Sequence, residues 1–117
     1  MGYKIKHLSP MIPTDDSKTS IEFLKNFDFE LKMDADNYFI LEKDGQTLHL
    51  MEIEESDWMG QQSLYIEVEN LESAWKKIEP LKENLNVREP FDTGYNMKEF
   101  HVVIPKTGTL LFIGQKA

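Results

Sequence analysis

Apolar residues in this chain fall first into three-residue steps and then into alternation, and this succession occurs twice. Ser9-Pro-Met-Ile-Pro-Thr-Asp-Asp-Ser-Lys-Thr-Ser-Ile-Glu-Phe-Leu24 and Ser63-Leu-Tyr-Ile-Glu-Val-Glu-Asn-Leu-Glu-Ser-Ala-Trp-Lys-Lys-Ile78 share one plan: a short strand, a polar corner and an amphipathic helix, 54 positions apart. Each leads to a hairpin. Tyr38-Phe-Ile-Leu41 and Leu48-His-Leu-Met51 flank Lys43-Asp-Gly45, while His101-Val-Val-Ile104 and Leu111-Phe-Ile-Gly114 flank Lys106-Thr-Gly108, 63 positions on. The growing offset puts nine extra residues between helix and hairpin in the second half. Two copies predict a paired-module domain, with corresponding residues facing each other across a pseudo-twofold axis, and exclude a solenoid.

Lys4 to Thr14 alternates poorly but suits a strand, which Pro10 and Pro13 confine to an edge or a bulge. Asp15 or Asp16 can cap a helix carrying Ile21, Leu24 and Phe27. Phe29 to Met33 reads as a strand, Asp34 to Asn37 as a turn, Tyr38 to Met51 as a hairpin and Glu52 to Gly60 as a polar loop. Asn70 caps a second helix bearing Leu71, Ala74, Trp75 and Ile78, which Pro80 ends or kinks. A short strand at Leu85–Arg88, a loop at Glu89–Asn96 and a hairpin over Lys98–Gly114 complete a second β-α-β-β-β unit. The expected fold is α+β: one domain over residues 1–117, built from modules at about 4–54 and 61–117.

Composition narrows the function. Each half alone is too small for a comfortable core, so the two must pack or exchange into one. With no cysteine, a disulfide framework, a thiolate metal site and a cysteine nucleophile are all excluded. No basic segment followed by an apolar run opens the sequence and no stretch approaches ~20 apolar residues, so a soluble cytoplasmic protein without membrane contact is expected. A net charge of −8 repels nucleic acid and favours cationic partners.

The order of Ile12-Pro-Thr-Asp-Asp-Ser-Lys-Thr-Ser-Ile-Glu-Phe-Leu24 before Phe27-Asp-Phe-Glu30, and of Arg88-Glu-Pro90 before Tyr95-Asn-Met-Lys-Glu-Phe100 and Pro105 to Phe112, resembles the glyoxalase/bleomycin-resistance/extradiol-dioxygenase superfamily, the vicinal oxygen chelate proteins. The likeness covers nearly the whole chain and is nearest to the bleomycin-resistance branch. Tyr95-Asn96 stands where the family has tryptophan-glycine, and Ile104-Pro-Lys-Thr-Gly108 is one residue longer than its Asp-Pro-Asp-Gly turn. The resemblance implies a curved, incompletely closed eight-stranded sheet around a ligand cleft, and homodimers, often with modules exchanged between chains. It also places the superfamily's metal ligands at Ser9, His49, Ser63 and Phe112, of which only His49 binds a metal well, so neither metal nor cofactor is expected.

The function implied is metal-free sequestration of a small aromatic or cationic molecule, as in antibiotic resistance. The alternative is a glyoxalase-like lyase or dioxygenase-related enzyme using a non-standard metal set or an acid–base pair at His49 and Glu67. Strand alternation sends Ser9, Met11, Pro13, Thr47, His49, Met51, Ser63, Tyr65, Glu67, Leu110 and Phe112 into the cleft. Trp58 from the acidic loop, and Tyr95 and Met97 from the Phe91–Met97 loop, add stacking faces at its mouth. The expected ligand set is therefore His49, Trp58, Tyr65, Glu67, Tyr95, Met97 and Phe112. Whether Phe100 or His101 looks inward depends on the register of residues 98–104.

Overall fold

Two β-α-β-β-β units succeed each other in a computed structural model, which describes residues 2–54 and 59–117. The first runs β1 (Met11–Thr14), α1 (Ser17–Asn26), β2 (Glu30–Asp34), β3 (Tyr38–Lys43) and β4 (Gln46–Glu52). The second runs β5 (Ser63–Glu67), α2 (Leu71–Ile78), a 3-10 turn (Glu79–Asn84), β6 (Val87–Asp92), β7 (Met97–Val103) and β8 (Leu110–Lys116). The eight strands hydrogen-bond as two four-stranded sheets of one topology, β1-β4-β3-β2 and β5-β8-β7-β6. Within each, the first strand lies parallel to the last and the other neighbours are antiparallel. The repeat read from the sequence is thus also a repeat of topology.

Helix starts follow from local chemistry. Asp16 caps α1 by accepting from the Thr19 amide, and Asn70 caps α2 by accepting from the Ser73 amide, 3.0 Å away. Glu52, at the end of β4, takes up the Ser17 amide at 3.0 Å and its hydroxyl at 2.8 Å, joining the start of α1 to the sheet. α2 stops at Ile78 and gives way to the 3-10 turn, whose first turn holds Pro80 where no amide donor is needed.

Three elements depart from the sequence reading. The first strand begins only at Met11: Pro10 has no amide to continue the ladder, and residues 2–10 lie outside regular structure with Tyr3, Ile5 and Leu8 exposed. β6 extends to Asp92 and absorbs Glu89 and Pro90 in a register shift, an irregularity that an edge strand tolerates. The hairpins also align differently. Asp44 and Gly45, both at positive φ, close the first in two residues, whereas residues 105–108 form a longer turn in the second. Two of the nine extra residues therefore lie in that turn, and Tyr38 corresponds to Glu99 instead of His101.

The alternation of each strand sorts its residues. Ile12, Leu48, Leu50, Phe100, Val102, Leu111 and Ile113 face one core together with Phe23 and Leu24 of α1 and Trp75 and Ile78 of α2. Residues of both halves share this cluster. Polar contacts join them too: the Ser20 hydroxyl donates to the Pro105 carbonyl at 2.7 Å, and the Asn26 amide group to the Lys77 carbonyl at 2.8 Å. Among the described residues no helix is long and apolar enough to cross a membrane.

Candidate functional site

With Phe100 against Trp75 at a ring separation of 5.1 Å, Glu99 and His101 necessarily emerge on the opposite, open face of the second sheet. Register then sets their neighbours. Tyr65 on β5 pairs with Phe112 on β8, and Phe112 with His101 on β7; one step along, Glu67 pairs with Gly114 and Gly114 with Glu99. Tyr65 leans along its strand, over Gly114, to donate its hydroxyl to Oε2 of Glu99 at 2.8 Å. Tyr95, from the turn before β7, donates to the same oxygen at 2.6 Å. The other oxygen, Oε1, lies 2.9 Å from Nε2 of His101.

Ring packing closes the cluster. Tyr65 stacks on Phe112 at 6.4 Å, Phe112 meets His101 at 4.2 Å, and Phe91 abuts His101 edge-on at 5.2 Å. The Arg88 guanidinium covers the Phe91 ring at 3.5 Å.

Glu99 is fully buried, and burial is the largest single influence on its carboxyl, pushing the pKa up. The hydrogen bonds from His101, Tyr95 and Tyr65 together outweigh it and hold the group below the usual carboxylate range. The phenols move the other way. Desolvation, then the bond to Glu99, raises Tyr65 to about 12, and the bond to Glu99, then desolvation, raises Tyr95. The arrangement is an ionised acid sealed beneath two neutral phenols.

The first sheet carries a smaller counterpart. His49, which corresponds to Phe112, has its Nδ1 2.6 Å from the Tyr38 hydroxyl, and Tyr38 also touches the Met11 sulfur at 3.2 Å. Between the halves a groove of about 900 Å³ runs beside β5, bordered by Tyr65 and Glu67 on one side and by Leu8, Pro10 and Thr47 on the other.

Of the residues expected from sequence, Tyr65, Tyr95 and Phe112 come together. His49 makes its hydrogen bond within the first sheet, Glu67 is exposed at the groove, and Met97 is half-buried at the start of β7. Trp58 lies outside the described residues. Sequence reasoning missed Glu99, the centre of the cluster, although Met97, Glu99 and His101 alternate with buried Phe100 and so share a face once the register is known.

Neither a family model nor a curated protein sequence matches the chain. Solved structures do. The bleomycin resistance determinant encoded on transposon Tn5 superposes with a TM-score of 0.78 at 17% identity, over 96% of this chain and 98% of its own. A bleomycin-binding protein complexed with bleomycin gives 0.79 at 16%, over 97% and 100%. The chain has the glyoxalase/bleomycin-resistance fold. Lactoylglutathione lyase from Agrobacterium tumefaciens, a third protein of this architecture, gives 0.75 at 12%, over 97% and 96%.

The metal positions implied for this fold do not fit a metal here. Phe112 has no donor atom, the Ser9 hydroxyl is hydrogen-bonded to Thr47, and His49 directs Nδ1 at Tyr38. Among the described residues no three histidine or carboxylate side chains converge. Three such ligands with an open position would be needed for a catalytic metal.

Proposed function

We propose that this protein is a binding protein of the bleomycin-resistance type, which sequesters a small aromatic or cationic molecule on the open face of its second sheet without transforming it. One observation carries the reading: Tyr65, Tyr95, His101 and Phe112 gather their rings on that face while three of their polar groups are committed to Glu99. Ring surface is what remains to meet a ligand, and apolar surface with a few fixed polar groups is the character of a small-molecule site. Met97 and Glu67 border this surface, with Trp58 as a further ligand-contacting residue. That proteins of this fold are named for bleomycin binding and resistance supports the reading, and antibiotic resistance is the biological role it implies.

Titration with a flat aromatic cation such as thioflavin T, and with neutral 2-naphthol, tests this. Saturable binding of at least one is expected, weakened in Phe112→Ala by about 1–3 kcal/mol for the lost stacking area. Affinity identical in the variant would exclude this face as the site.

We further propose a cytoplasmic homodimer. Tyr3, Ile5 and Leu8 are 91, 71 and 90% exposed in one chain, an apolar arm that a second copy would cover. Light scattering should give twice the 13.7 kDa chain mass; one chain's mass across the micromolar range would reject the dimer.

The lyase or dioxygenase-related alternative draws on one contact, the 2.9 Å pairing of Glu99 with His101. A carboxylate in that place orients an imidazole for acid–base work.

A further inference from the structure

Beneath the open face of the second sheet lies a charge that no ligand can touch. Glu99 is 0% exposed, and its two oxygens are taken by the hydroxyls of Tyr65 and Tyr95 and by the His101 ring. Burying an ion costs several kcal/mol unless its partners are well placed, so a stably folded chain would gain by replacing it. The chain instead makes room for it: a side chain at Gly114 would meet the Tyr65 hydroxyl and the Glu99 Cγ. The rings of the two tyrosines, by contrast, remain open, the residues being 48 and 61% exposed.

A phenol that donates to a carboxylate shifts electron density into its ring, and an electron-rich ring face attracts cations. We propose that Tyr65 and Tyr95 form a subsite for organic cations of low charge density, of the quaternary ammonium class, with Glu99 as a buried counter-charge acting through the rings. The inference rests on the second sheet being the ligand face and narrows its ligand class. Compact, strongly hydrated ions are disfavoured, because the carboxylate oxygens that would replace their water are already occupied. The chain's net charge of −8 brings cations to the surface but does not choose among them.

The test is titration with choline and with its neutral isostere 3,3-dimethylbutan-1-ol, followed by the aromatic resonances of Tyr65 and Tyr95. Choline should bind about tenfold tighter. Glu99→Gln, and Tyr95→Phe at an exposed position where folding is safe, should each reduce that ratio severalfold. Equal affinity of the two probes, no binding of either, or a ratio untouched in the folded Tyr95→Phe protein would overturn the subsite. If 2-naphthol still binds and responds to Phe112→Ala in any of these cases, the broader binding proposal survives; if it too fails, both fall.

Discussion

Gly114→Ala should dismantle the Glu99 cluster while leaving the protein folded. A Cβ at this position would lie 2.0 Å from the Tyr65 hydroxyl and 3.2 Å from the Glu99 Cγ. The first distance is impossible, but the atom in the way is the far end of an exposed side chain, so Tyr65 swings out and the backbone stays. Tyr65 then loses the two largest causes of its raised pKa, the desolvation of its hydroxyl and the bond to Glu99. Spectrophotometric titration should show one phenol moving from about 12 in the wild type toward about 10 in the variant. A group whose folded pKa is raised stabilises the fold fully below its unfolded value, and that contribution is lost as pH rises through the folded value. The wild type should therefore lose its advantage over Gly114→Ala between about pH 10 and 12. Binding of aromatic probes should fall along with it. An unchanged phenol titration would mean that Tyr65 does not lie over Gly114.

Trp75→Ala should act in the opposite sense, on the fold before the site. Trp75 is 8% exposed on the apolar stripe of α2 and packs against fully buried Phe100. Removing a large core ring costs about 3–5 kcal/mol, a large share of the stability of a domain this size. Thermal denaturation should fall by on the order of 10–20 °C. Because Phe100 stands between Glu99 and His101 on β7, loosened packing there also frees the strand that carries the cluster. The chain has two tryptophans, so the emission left in this variant belongs to Trp58 alone. A melting temperature within 2–3 °C of wild type would contradict the core assignment.

The parts of this structure that were legible in the sequence are those set by short periods. Alternation put Ile12, Leu50 and Ile113 on the core face and Tyr65 and Phe112 on the other, because strand side chains change face at every residue. Helix caps and the β-α-β-β-β order followed from equally local chemistry. What stayed hidden depended on counting across a turn. Lys106-Thr-Gly108 looks like Lys43-Asp-Gly45, yet its loop is longer, and the apparent match of Tyr38 with His101 concealed the true correspondence with Glu99. A one-residue uncertainty of register exchanges the two faces of β7, so the sequence left Phe100 and His101 as alternatives and gave Glu99 no role. Glu67 drew attention because alternation put it on the same strand face as Ser63, pointing into the cleft, but the carboxylate that Tyr65 meets comes from a strand two places away in the sheet.

The most direct measurement is to follow the aromatic-probe titration residue by residue in the NMR spectrum of the wild-type protein. The proposed site predicts the largest shifts at Tyr65, Tyr95, His101 and Phe112, saturating together with one affinity. Shifts confined to Tyr38 and His49 on the first sheet, or to the outer surfaces of the helices, would contradict it.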